Sequence, residues 1–274
     1  MPRERRGRLA THRRLNYYCV RPAAMYRSIT TQAIVIRRER LGDFHKSLSL
    51  LTSDMGLIRA TAYGAYRMHS SLRMGSEPFT VCTVRLYHNP VKQSYKITEL
   101  EIRETFGSLM RDLSRLVAAS LWAEVALKSY AAGETSDMLF RLFLGSLELL
   151  DQADTRGEPY VTIQFLWRFL SLAGYLPMLD ACCQCGIPFR DGPASFSPAI
   201  HGFLCSSCVP QNARSVPAGA LRYLAATGAQ PLPRASQVTL EPAGLRSLRE
   251  TLPLMVQSVL EGELVTLRNV GAAL

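Results

Sequence analysis

The 274-residue sequence predicts a multi-domain α+β protein, with a small amino-terminal β-barrel, an all-helical domain, and a four-cysteine element inserted in that domain. Apolar residues recur with a period near two from Ile29 to about Arg103 and near 3.6 after Phe106. Two Cys-x-x-Cys pairs, Cys182/Cys185 and Cys205/Cys208, then stand nineteen residues apart.

Five strands are expected in the first part: Ile29 to Arg37, Ser47 to Leu51, Leu57 to Tyr63, Phe79 to Tyr87, and Ser94 to Ile102. Turn formers separate them at Leu41-Gly42-Asp43, Ser53-Asp54-Met55-Gly56 and His88-Asn89-Pro90, with one longer link from Gly64 to Pro78. Five short strands with that link fit an OB-fold barrel over 28–107; the count alone would also fit an SH3-like barrel. Three amphipathic helices follow, marked by Leu109 to Leu127, Met138 to Leu150, and Ile163 to Leu172. Further helices are expected at Pro217 to Ala226 and at Ala243 to Leu260, the second kinked or split at Pro253. The helical domain thus occupies 108–181 and 212–274, on either side of the cysteine element at 182–211.

Each Cys-x-x-Cys turn can aim two thiolates at one ion, and two turns complete the tetrahedron that zinc prefers, with Zn–S near 2.3 Å. Cys182, Cys185, Cys205 and Cys208 are the expected ligands. Four thiolates leave no open position for a water, so the metal is read as structural. The strands available here, Ser195-Phe196-Ser197 and Gly202-Phe203-Leu204, are too short to bury a core without metal. Cys183 would give a different step and is read as a neighbour, and His201 as a solvated loop residue.

The net charge of +10 is concentrated at the amino terminus. Residues 1–27 hold eight arginines and one acid, and the remainder 24 bases and 21 acids. This leader lacks apolar periodicity and is expected to be disordered. Three readings stay open for it: translation starting at Met25, a phosphate-binding basic arm, or a transit peptide, for which the segment is poor in serine. Seven cysteines without a second pairing pattern suit a reducing, cytoplasmic compartment. The apolar stretch from Leu116 to Leu127 is far shorter than the roughly 20 residues of a membrane span.

Catalytic signatures are missing: there is no phosphate-binding P-loop, no Gly-x-Ser-x-Gly elbow and no His-Glu-x-x-His pair. The five histidines lie in the leader, in loops or at barrel edges, and Glu99 and Glu101 on one strand face read as a solvated edge. A non-enzymatic binding protein with no small-molecule substrate is expected. The barrel carries eleven bases and seven acids. Loops after the first and fourth strands would present Arg38, Arg40 and Lys92, while the third strand, its exit and the following link bring Arg59, Tyr63, Tyr66, Arg67 and Arg73. Arginine beside tyrosine suits a single-strand groove, where charge follows phosphates and rings stack on bases.

The order of parts resembles the RecO family of bacterial recombination mediators. The resemblance rests on Gly42-Asp43, Thr52 to Leu57, Gly64-Ala65-Tyr66-Arg67, Pro78-Phe79, and above all Gly174-Tyr175-Leu176-Pro177 to Leu179 leading into Cys182 to Gly186. It covers 28–270. Tyr66 replaces the first member of the family's basic pair, and Val265 to Asn269 keeps only part of a basic closing run. The resemblance implies a nucleoid-associated protein that binds single- and double-stranded DNA and anneals complementary strands. It further implies that the protein works with RecR to load RecA onto strands coated by single-strand-binding protein, without hydrolysing nucleotide. It places contact with that protein's acidic tail in the helical domain, where Lys128 and Arg141 are candidates. Competing readings are a zinc-ribbon transcription or translation factor and a nuclease with dispersed carboxylates. Against the former, Cys182 to Cys208 holds only Arg190 and Asp191 as charged residues, so the ribbon has no basic face.

Overall fold

The computed structural model describes residues 28–129, 134–190, 192–209 and 214–270. The expectations for the leader lie outside them.

Five strands close a barrel: β1 (Ser28–Leu41), β2 (His45–Thr52), β3 (Gly56–Ala62), β4 (Val81–Asn89) and β5 (Ser94–Glu104), in the order β1-β2-β3-β5-β4. All pairings are antiparallel except β3 with β5. That order, with a single helical turn, α1 (Leu72–Gly75), between β3 and β4, is the OB arrangement. β1 closes the barrel by pairing with β4 through Ser28 to Ile34 and with β2 through Ala33 to Leu41, with a bulge between Val35 and Arg37. It runs four residues beyond the expected end. Arg38 and Arg40 therefore lie in a strand, opposite Leu48 and Lys46, and not in the loop after it. The Arg38-Glu39-Arg40 run has no apolar alternation, and it is held extended by its ladder to β2.

Ala33 to Ile36 are buried on both faces of β1. Ala33 and Val35 join Leu48, Leu50, Ala60, Val84, Leu86 and Ile97 inside the barrel. Ile34 and Ile36, with Leu51, Phe79 and Val81, belong instead to the core of the helical domain. That core is built by α2 (Leu113–Ser129), α3 (Glu134–Gln152), α4 (Glu158–Leu172), α5 (Ala218–Gly228) and α7 (Pro242–Leu260), with short α6 (Leu232–Ala235) and α8 (Val265–Val270). Trp122 lies at its centre, stacked on Phe165 at 4.9 Å and edge-on to Phe143 at 6.3 Å. α7 passes through Pro253 as one helix. A three-stranded sheet, β6 (Ala194–Ser197), β7 (Gly202–Leu204) and β8 (Arg214–Val216), carries the cysteine element, and its Phe196 and Phe203 reach into the same core.

Candidate metal centre and nucleic-acid interface

The first Cys-x-x-Cys turn is closed by the Gly186 N–H donating to the Cys182 carbonyl at 2.8 Å, with Gly186 at φ 72°. The second is closed by the Cys208 N–H on the Cys205 carbonyl at 3.0 Å. The four sulfurs lie within 4.8 Å of one another, and those of Cys185 and Cys205 are 3.7 Å apart. This cluster could hold a metal ion. Four sulfurs at about 2.3 Å from a tetrahedral ion stand about 3.8 Å apart, so the donor set fits zinc. Burial alone would raise the Cys182 thiol, but the N–H groups of Cys185, Cys205 and Gln184 outweigh it and lower its pKa to about 6. Cys208, crowded by the Cys185 and Cys205 sulfurs, is pushed up to about 12. Four thiols this close resist shedding all their protons unless a cation sits among them. Cys183 lies outside the cluster, its sulfur packed over Gly202, where a Cβ would approach it to 2.6 Å. His201 Nδ1 lies 3.2 Å from Ser258 Oγ. Cys82 is sealed in the barrel, and its burial raises the thiol to about 12.

The basic residues of the barrel divide into two groups. Arg38 pairs with Glu77 at 2.9 Å, Arg40 with Asp43 at 3.6 Å, and Arg59 with Glu39, which also meets Arg37 at 3.2 Å. Arg85 and Arg103 pair with Glu99 and Glu101. The first four sit on the β1–β3 sheet, and alternation puts Arg38 and Arg40 on one face and Arg37, Glu39 and the Arg59 ion pair on the other. The structure thus separates Arg59 from Arg38 and Arg40. No carboxylate pairs with Arg67, Arg73, Lys92 or Lys96 among the described residues, and all four are exposed.

Two of these free cations lie over exposed rings. The Arg67 guanidinium is 5.7 Å from the ring of Phe44, and Lys96 Nζ is 5.4 Å from that of Tyr63. Tyr66 is flanked by Arg40 at 5.9 Å and Lys46 at 4.9 Å, and its N–H donates to the Phe44 carbonyl at 3.1 Å. One rim of the barrel therefore gathers Phe44, Tyr63, Tyr66, Arg40, Arg67 and Lys96. Sequence reasoning missed Phe44 and Lys96. Phe44 follows Gly42-Asp43 and reads as turn, yet it is 52% exposed, while Lys96 meets Tyr63 only because β5 lies parallel to β3. Arg73 projects from α1, and Lys92 sits in a β4–β5 turn fixed by the Asn89 side chain, which accepts the Val91 and Lys92 N–H groups at 3.0 Å.

The two helical-domain candidates differ. Lys128 pairs with Glu124 at 2.9 Å and donates to the Glu263 carbonyl. Arg141, paired with Asp137 at 2.9 Å, borders a cleft of about 640 Å³ whose walls include Leu142, Leu149, Trp167, Arg168 and Leu232.

A closed OB barrel with a basic aromatic rim, docked on a helical domain that carries a four-thiol cluster able to hold a metal ion, defines a class of multi-domain OB-barrel proteins. Residues 25–106 match the family described as Recombination protein O N terminal, and residues 110–268 match Recombination protein O C terminal. The chain belongs to the RecO family. It is 30% identical over 226 residues to the DNA repair protein RecO of Anaeromyxobacter sp. (strain K), covering 82% of this chain and 88% of that one. It is 32% identical over 238 residues to the DNA repair protein RecO of Rubrobacter xylanophilus, covering 86% and 90%. With that of Desulforudis audaxviator, identity is 31% over 246 residues, covering 88% and 96%. No helix among the described residues is long and apolar enough to cross a membrane.

Proposed function

We propose that this protein is a non-enzymatic recombination mediator in DNA repair. It binds single- and double-stranded DNA, anneals complementary strands, and with RecR helps to load RecA onto strands coated by single-strand-binding protein. The observation that carries the reading is the coincidence, at one rim, of cations free of carboxylates with rings exposed to solvent. Arg67 and Lys96 can take phosphates without giving up an ion pair, while Phe44, Tyr63 and Tyr66 offer faces to unpaired bases. Annealing needs no more chemistry than this: phosphate repulsion is reduced and bases are held open to a complement. Arg38, Arg40 and Arg59, each already paired, play a secondary part, and Arg73 and Lys92 extend the phosphate track.

In the helical domain Arg141 and Arg168 border an apolar cleft, a setting that suits an acidic peptide such as the tail of single-strand-binding protein. Lys128 suits that role less, since it does not line this cleft and is held by Glu124 and the Glu263 carbonyl. Zinc at the four thiols is structural in this reading.

The decisive experiment follows annealing of complementary strands with and without single-strand-binding protein at several salt concentrations. Annealing of coated strands that weakens steeply with salt is expected. Failure to anneal, or cleavage of labelled strands on adding magnesium or manganese, would overturn the reading. DNA affinity that tracks zinc content in folded protein would favour a nucleic-acid-binding ribbon.

A further inference from the structure

Lys46 is the one lysine of the barrel withdrawn from solvent, at 1% exposure, although it lies at the start of β2 beside the basic rim. Its Nζ donates to the Arg73 carbonyl at 3.2 Å, to Ser76 Oγ at 2.7 Å and to Glu77 Oε1 at 2.9 Å, which uses all three of its donors. The same Nζ lies 4.9 Å from the centre of the Tyr66 ring. Tyr66 belongs to the start of the link between β3 and β4, and Arg73, Ser76 and Glu77 to its end. A single amino group thus ties both ends of the link to β2. Around it the fit is close: a Cβ on Gly75 would come within 2.0 Å of Leu100 Cδ2, so α1 is seated directly on β5.

Glu77 receives Lys46 and the Arg38 guanidinium on the same oxygen. If Arg38 leaves for a phosphate, Lys46 still holds the carboxylate, and the link stays docked.

We infer that Lys46 is a positioning residue: too buried to touch DNA itself, it fixes the segment from Gly64 to Pro78 so that Tyr66, Arg67 and Arg73 face one ligand together. This rests on the proposed DNA interface, and its test separates the two. Lys46→Met keeps the apolar stem and removes the three donors. It is compared, in the full chain, with Arg67→Ala/Arg73→Ala and with the triple variant. Circular dichroism checks folding, and single-strand affinity and limited trypsin digestion are the readouts.

Residues that act as a unit are non-additive, so Lys46→Met should weaken binding roughly three- to thirtyfold alone but less than about twofold when Arg67 and Arg73 are already alanine. In the absence of DNA, trypsin should cut after Arg67 and Arg73 faster in Lys46→Met than in the native chain, while cleavage at the arginines of residues 1–27 is the same in both. An equal loss in both backgrounds would mean that Lys46 acts through its charge alone and would overturn the inference, as would a link that stays protected from trypsin in Lys46→Met. If the link opens while Arg67→Ala/Arg73→Ala binds DNA normally, the interface reading fails and the positioning of the link stands. Should Lys46→Met not fold, Lys46→Gln, which keeps a donor toward Ser76, enters the same comparison.

Discussion

Cys185 Sγ stands 3.7 Å from Cys205 Sγ, although the two residues are brought together by separate turns on either side of a short sheet. That spacing is nearly one edge of the tetrahedron around a thiolate-bound zinc ion. The sheet between the turns contributes Phe196, Phe203 and Leu204 to the core that holds Trp122, so metal loss should be felt well beyond the element. Cys185→Ser, or treatment with a strong chelator, should remove close to one zinc per chain by elemental analysis. A loss of about 4 kcal/mol, well within what structural zinc supplies, would lower Tm by roughly 8–16 °C. Unchanged Tm after complete metal removal would show that the sheet holds itself.

A cation that already has a carboxylate beside it gains little from a phosphate, because the carboxylate stays behind and repels it. Arg67→Ala and Lys96→Ala should each lower the slope of log affinity against log salt by about 0.7 on single strands. Arg59→Ala, whose partner Glu39 remains, should lower it by less than half as much. Phe44→Ala should cost about 1–3 kcal/mol on single strands and little on duplex, where bases are not free to stack. Filter binding or fluorescence anisotropy across a salt series gives both quantities, and equal slopes for Arg59→Ala and Arg67→Ala would remove the distinction.

How much of this was legible in the sequence depended on whether the signal was local. The four-cysteine cluster is announced by two spacings of three residues, and the barrel core by alternation such as Ala33-Val35. Ile34 and Ile36 already show an apolar second face, which the docked helical domain explains. The extension of β1 through Arg38 and Arg40 has no such mark, since its evidence lies in β2. The same holds for the ion pairs: Arg59 with Glu39 and Lys46 with Glu77 join residues distant in sequence, and only folding reveals which arginines are free. α8 was hidden for a related reason, as it is six residues long and held by groups from α2.

Glu124 of α2 accepts the Val265 and Thr266 N–H groups at 2.8 and 2.9 Å and so caps the start of α8. Burial would raise its carboxyl, but those N–H groups and Lys128 outweigh it and hold it below its ordinary 4.5. A carboxyl lowered on folding contributes stability above its unfolded value and loses it as pH falls through the folded one. Glu124→Gln should therefore lower Tm by a constant amount between pH 5 and 8, equivalent to about 1–2 kcal/mol. The gap from the native protein should close below about pH 4.5, as the native carboxyl itself protonates. A gap that stays undiminished as pH falls below 4.5 would assign the loss to packing and not to the carboxylate.

Arg115 and Glu158 form the most enclosed ion pair among the described residues of the helical domain, with side chains 15% and 10% exposed and Nε to Oε1 at 2.8 Å. Their other bonds are unequal. Glu158 also accepts the Ser114 hydroxyl at 2.6 Å, while Arg115 donates to the Asp151 and Ala153 carbonyls at 3.1 and 2.6 Å, groups left open where α3 ends. Removing Arg115 leaves the Glu158 charge enclosed without its counter-ion, a cost of about 3–5 kcal/mol, while removing Glu158 leaves Arg115 only Asp112, at 3.8 Å, and costs less. Arg115→Met should be the worse of the two, since it also strands two carbonyls, whereas Glu158→Gln keeps an acceptor for Nε. The double variant Arg115→Met/Glu158→Leu should lose about 1–3 kcal/mol less than the sum of Arg115→Met and Glu158→Leu, because the second substitution removes the charge stranded by the first. Urea unfolding of the full chain measures these terms. Strict additivity would mean that the pair is held in place by its neighbours and contributes no coupling of its own.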